Sequence, residues 1–348
     1  MDRERFVTPS GRESFYPYSG PQNPIGRPGE RRRGLLRVRE VQLPSPLPSG
    51  SPGNDAFTAR LLFRPDVEAR QPVVFLHGFG FSLLRSWESI PAAFAARGHP
   101  SVILCLPHLC ERARVDRPPG HHYTSTNAET ALPAYEQAVA DTRAALDWAL
   151  EQPECASVAS DPDMPGPAVV GVSFGALVAV IAAALEPRFE SLVSLLGGAD
   201  LEIIVFRGSY RTGIERQLRD AKIGIEQRRT ARAMYEEYLD RVRAATRPLD
   251  VPAPFHFYLF DPLTFAPHLR ERPALLMNAR FDPVMPRSAA EQLRLELGCP
   301  EASWFWGTHL VAGPWLPYVA RRVTRYLAAR RPGERRIPLD TRAAVWVP

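Results

Sequence analysis

Lysine is nearly missing from this chain. Of 43 basic residues only Lys222 is a lysine, and against 38 acidic ones they leave a formal charge of +5 over 348 residues. So slight an excess makes no electrostatic footprint for nucleic acid. The arginine bias is read as compositional, and no nucleic-acid partner is expected. The one basic cluster, Arg31 to Arg33 in "GERRRGLLRVRE", could hold an anion, but a solvated tail is the favoured reading.

Cysteine is scarce too. Cys105, Cys110, Cys155 and Cys299 form no C-x-x-C pair and show no metal-ligand spacing, which excludes a disulfide framework and fits reduced, structural thiols. No His, Cys, Asp and Glu spacing suggests a metal, and no cofactor is implied. "HGFGFSL" lacks the third glycine of a dinucleotide loop. No apolar core follows a positive flank near the N-terminus, so no secretory signal is visible and the cytoplasm is the expected compartment. No internal repeat is present.

Long uncharged runs are also rare, and the most apolar segment, "PAVVGVSFGALVAVIAAAL" (Pro167 to Leu185), barely reaches the roughly 18 residues a membrane span requires. Its first part, Ala168 to Val172, is short and β-branched like a buried strand, and Ala176 to Leu185 is alanine-rich like a buried helix. Two buried elements meeting at a turn explain the run, and no membrane span is expected.

What is present is an ordinary globular composition, 45% apolar and 23% charged, long enough for one large α/β domain with insertions or for two domains. Residues 1–34 are rich in Pro, Gly, Arg and Ser without periodicity and are read as an extended or disordered arm. From "LLRVREVQL" onward, strand-like and helix-like segments alternate, which implies a mostly parallel sheet with helices on both faces. The core comprises 35–199 and 273–331, followed by a tail at 332–348. Between them, 200–272 breaks the rhythm with charged amphipathic helices and the aromatic "FHFYLFDPLTF". It is read as a cap insertion.

The turn inside the apolar run is Gly171-Val172-Ser173-Phe174-Gly175. Gly-x-Ser-x-Gly between strand and helix is a sharp turn that presents the serine oxygen at the top of the sheet, with small residues relieving the crowding. A serine needs a base and a group to orient that base. Downstream, "PALLMNARFDPVMP" puts Asp282 just past one strand and "ASWFWGTHL" puts His309 just past the next, in the order Ser173, Asp282, His309. Asp200, after "LLGGA", is the rival acid. "HGFG", His77 to Gly80, follows an earlier strand; the N–H of Phe79 and that of Phe174 are the candidate oxyanion donors, with Gly78 and Gly80 allowing close approach. His77 is expected to order that loop. His108, His121 and His122 are expected to stabilise loops or lie exposed, with pocket lining the alternative.

"LHGFG", "GVSFGA", "PALLMNARFDPVMP" and "GTHL", in this order, resemble the α/β-hydrolase superfamily from about Val73 to Arg330, with the esterase and dienelactone-hydrolase-like branches nearest. The resemblance implies a mostly parallel eight-stranded sheet, a Ser-Asp-His triad and a cap after the sixth strand. It leads to an expected serine hydrolase cleaving a carboxylic ester, or a thioester or peptide bond, in a small-molecule acyl substrate. The alternative is a non-catalytic binding or scaffold protein on the same fold.

Overall fold

The computed structural model describes residues 14–113, 120–125, 127–209, 213, 215–217, 225–309 and 313–339. Its strands are β1 (Ile25–Arg33), β2 (Leu36–Pro44), β3 (Ala56–Phe63), β4 (Val73–Leu76), β5 (Ser101–Leu104), β6 (Ala168–Val172), β7 (Ser191–Leu195), β8 (Ala274–Ala279) and β9 (Glu301–Phe305). They form one nine-stranded sheet in the order β1-β2-β3-β5-β4-β6-β7-β8-β9. The first three strands pair antiparallel, and β3 joins β5 the same way. From β5 to β9 every neighbour is parallel.

Strands β4, β6, β7 and β8 are buried along their whole length, as a parallel sheet covered on both faces requires. Alternate residues serve opposite faces, because successive side chains of a strand point apart. Val74, Leu76, Val102 and Leu104 join one apolar cluster, whereas Val73, Phe75, Ile103 and Met277 join the other. Helices α2 (Ala128–Leu150), the short α3 (Pro153–Ala159) and α4 (Phe174–Leu185) cover the first face. The short α1 (Ser89–Ala95) and the C-terminal Leu316–Ala328 cover the second. The uncharged run is therefore β6, a turn and α4. Among the described residues no helix is long and apolar enough to cross a membrane.

The strand count departs from the eight that the resemblance implies. The additional strand, β1, lies in the segment whose composition reads as an arm. Its side chains are exposed or half-buried throughout, so no alternation marks it in the sequence, and backbone pairing with β2 from Gly29↔Glu40 to Arg33↔Leu36 holds it. Nor is the arginine cluster a solvated tail. Arg31 and Arg33 reach the buried carboxylate of Glu88 at 2.6 and 2.8 Å, and Arg60 adds a third contact at 3.2 Å. Upstream, Tyr16 is buried, its N–H donating to Glu136 and its hydroxyl to the Leu259 carbonyl.

After β7 come α5 (Leu201–Arg207), α6 (Ile225–Ala244) and a short α7 (Pro262–Phe265). The stretch read as a cap includes residues 210–212, 214 and 218–224, outside the described ones. Tyr235 and Tyr238 of α6 stack on Tyr258 at 4.2 and 5.5 Å. Tyr258 and Phe260 are buried, and Phe255 and Phe257 half-buried against the same core. The last two helices are α8 (Arg287–Glu296) and α9 (Leu316–Ala328).

Candidate active site

Ser173 is the single residue between β6 and α4, and its backbone lies at φ 55°, ψ −121°. A side chain rarely takes that conformation, and holding it costs on the order of 1–3 kcal/mol. Its surroundings enforce it: the Ser173 N–H donates to Leu195 O at 2.8 Å and its carbonyl accepts from Ala176 N at 2.9 Å. Close backbone approach makes the flanking glycines necessary. A Cβ on Gly175 would lie 2.2 Å from Leu76 O, and one on Gly171 would lie 2.2 Å from Gly175 O. A Cβ on Gly78 would meet that of Ser173 at 2.9 Å, so the His77–Gly80 loop rests directly on the elbow, and Gly80 turns the loop away at φ 117°.

The ends of β8 and β9 bring two more groups to the serine. Ser173 Oγ is 2.7 Å from His309 Nε2, and His309 Nδ1 is 2.7 Å from Asp282 Oδ2. A carboxylate can only accept, so Nδ1 carries the proton and Nε2 presents its lone pair to the serine hydroxyl. Asp282 also caps its own turn. Its Oδ1 accepts from Val284 N and Met285 N at 2.9 and 2.8 Å, which fixes the carboxylate and aims Oδ2 at the imidazole. The side chains of Asp282 and His309 are 1% and 10% exposed, so their interaction is little screened.

Asp200 is engaged elsewhere. Its oxygens take Arg232 Nη1 at 2.5 Å and Ile203 N at 3.1 Å. Asp261, beside it, accepts from the N–H groups of Asp200, Leu201 and Leu263. Burial first, and then the charge of Asp200, push the Asp261 carboxyl up to about 6.

Phe174 is the first residue of α4, where an N–H has no carbonyl one turn back to bond. Its ring stacks on that of Phe79 at 4.8 Å, so the two candidate oxyanion residues are neighbours. Tyr123 closes on Phe174 at 4.1 Å, and Tyr135 at 5.5 Å. This aromatic cluster escaped the sequence reading, because no linear pattern links residues 79, 123, 135 and 174.

His77 is fully buried, its Nδ1 donating to Gly78 O at 2.8 Å and its Nε2 accepting from Leu106 N at 3.1 Å. Both ring nitrogens are thus engaged with backbone groups, one in its own loop and one just after β5. The His108 N–H donates to Asn54 Oδ1 at 2.9 Å, and its ring stacks on His122 at 3.8 Å, with His121 edge-on to His122 at 5.9 Å. His108 and His122 line a cavity of about 380 Å3 whose walls include none of Ser173, Asp282 and His309. A further grouping was invisible to linear spacing: His77, Cys105 and Cys110 converge in the interior.

The sequence profile described as the alpha/beta hydrolase family matches residues 73–311, more than half of the chain. The chain belongs to the α/β-hydrolase family. Among solved structures this hydrolase is similar to the acetyl xylan esterase from Paenibacillus sp. R4, at 16% identity and a TM-score of 0.63 over 94% of this chain and 98% of that one. Acetyl xylan esterase 1 from Thermoanaerobacterium sp. JW/SL YS485 is 14% identical, with a TM-score of 0.62 over 88% of this chain and 89% of that one. A cold-adapted esterase from an Arctic intertidal metagenomic library gives 13% identity and a TM-score of 0.50 over 88% and 99%. At such identities the likeness is one of fold. No curated protein sequence matches the hydrolase.

Proposed function

We propose that the enzyme cleaves carboxylic esters through a covalent acyl-enzyme on Ser173. The observation that carries this reading is the continuous hydrogen-bonded relay from Asp282 through His309 to Ser173, with both links at 2.7 Å. His309 Nε2 takes the hydroxyl proton as Ser173 Oγ attacks the ester carbonyl, and the Asp282 carboxylate stabilises the imidazolium that forms. The N–H groups of Phe79 and Phe174 are the donors proposed for the oxyanion. His309 then returns the proton to the departing alkoxide, and water attacks the acyl-enzyme by the same steps with roles reversed. Two structures that share the fold are acetyl xylan esterases, so carboxylic esters are the first substrates to screen.

A fluorophosphonate probe tests the reading directly. Mass spectrometry is expected to find the label on Ser173, absent in Ser173→Ala and strongly reduced in His309→Ala. Ester turnover should fall by about 10⁴-fold or more in either variant. Folded protein that takes no label would favour the non-catalytic scaffold.

A further inference from the structure

Beneath the His77–Gly80 loop lies a set of side chains that the proposed reaction does not use. Cys105 follows β5, and the chain turns back over "LPHL" to bring Cys110 beside it. Both are buried free thiols. The two sulfurs and His77 Nε2 all lie within 4.8 Å of one another, with Cys110 Sγ 3.8 Å from Nε2. A tetrahedral zinc with bonds of about 2.3 Å to sulfur and 2.0–2.1 Å to nitrogen holds its donors roughly 3.5–3.8 Å apart. The Cys110–His77 separation is close to that of two ligands on one ion, and the third donor needs to close by little more than an ångström at most.

We propose that His77, Cys105 and Cys110 form a zinc-binding site beneath the proposed oxyanion loop. Two thiols and an imidazole are a soft donor set, which suits zinc and excludes magnesium and calcium. The imidazole is already in the required tautomer. Its Nδ1–H is spent on the Gly78 carbonyl at 2.8 Å, the backbone support common behind metal-bound histidines, which leaves Nε2 as the lone-pair donor. That lone pair now accepts from Leu106 N at 3.1 Å, so the incoming ion displaces one hydrogen bond. The charge balances: Zn2+ replaces the two thiol protons, which leave to solvent, and the resulting Zn(Cys)2His centre is neutral. A neutral centre carries a small burial penalty. Three protein donors leave a fourth position, and the Glu111 carboxylate stands 3.8 Å from Cys105 Sγ. Because the Gly78 carbonyl holds Nδ1, the bound ion would tie the loop carrying Phe79 to β5.

The test uses the full-length, fully reduced protein freed of metal by a chelator, with zinc alone as the titrant against a chromophoric competitor. One equivalent is expected to bind. Cys105→Ser and Cys110→Ser should each weaken it by more than the roughly 10–100-fold lost with a supporting partner, and Cys299→Ser should leave it unchanged. Cobalt substitution should give the intense visible bands of a tetrahedral site together with a near-ultraviolet thiolate charge-transfer band, absent from both variants. Circular dichroism and fluorophosphonate labelling of Ser173 report separately whether each variant is folded and whether the serine is reactive. No bound equivalent in folded protein, or zinc binding that survives both substitutions, would overturn the site and leave the ester-hydrolase reading untouched.

Discussion

Gly175 shows how little room the surroundings of Ser173 leave. Its missing side chain is what lets α4 begin directly against the end of β4, where a methyl would lie 2.2 Å from the Leu76 carbonyl oxygen. Backbone atoms on both sides cannot step aside as a flexible side chain could. Gly175→Ala is therefore expected to destabilise the protein by about 3 kcal/mol, the upper end of ordinary overpacking, and to abolish ester turnover along with the geometry of Ser173. Urea unfolding beside an activity assay checks both. Asp282 illustrates the opposite case at the same scale. One oxygen caps a turn and the other holds His309, so the structural and the proposed catalytic readings of this residue are compatible.

At the scale of elements, the segment after β5 is held by a buried ion pair. Arg112 Nη1 reaches Asp141 Oδ2 of α2 at 2.7 Å and the Cys105 carbonyl at 2.8 Å, and its Nη2 bonds the Asn54 carbonyl. The two side chains are 3% and 0% exposed. Burial pushes the Asp141 carboxyl up, and Arg112 and Ser45 work against that shift. Removing one partner leaves an uncompensated charge in the interior, so Asp141→Ala should cost about 3–5 kcal/mol. Denaturant unfolding measures that loss. Because Arg112 also pins the turn carrying Cys105 and Cys110, the weakened zinc binding proposed above should accompany it. Nothing in "HLCERAR" marks this arginine in the sequence, for its partners lie on other elements.

For the whole molecule, stability should depend on pH through groups that burial keeps from ionising freely. His99, in the connection from α1 to β5, is 1% exposed, and its Nδ1 donates to the Gln71 carbonyl at 3.0 Å. Burial is the main reason its pKa falls to about 4, with the charge of Arg70 adding to it. In the unfolded chain the imidazole takes up a proton below about 6.5, whereas in the folded one it does so only near 4. The folded state therefore loses stability as pH drops across that window, by up to about 3 kcal/mol. Asp261, raised to about 6, acts in the reverse sense: it is neutral in the folded protein and ionised in the unfolded chain between its ordinary range and 6, so its contribution improves on acidification. Comparing His99→Gln with the parent isolates the first effect. The variant should be less stable at pH 7, and the gap should narrow as pH is lowered toward 4, read from unfolding midpoints at each pH.

Much of this organisation was legible in the sequence. Strands β4 and β6 are continuous apolar runs, β7 and β8 are mostly apolar with Ser191, Ser194 and Asn278 among them, the elbow carries its own glycines, and Asp282 and His309 follow shortly after strands; each of these signals is local. The tertiary structure decided whatever depends on chain segments distant in sequence meeting. It placed Asp282 rather than Asp200 against His309, because Asp200 is turned toward Arg232 of α6. It added β1, an exposed strand with no periodicity, through backbone pairing with β2 and the ion pairs of Arg31 and Arg33 with Glu88. It gathered His77, Cys105 and Cys110 from two strand ends and the turn after one of them. Composition and period report the face on which a side chain lies, while convergence depends on strand order and on the close backbone contacts at the carboxyl edge of the sheet.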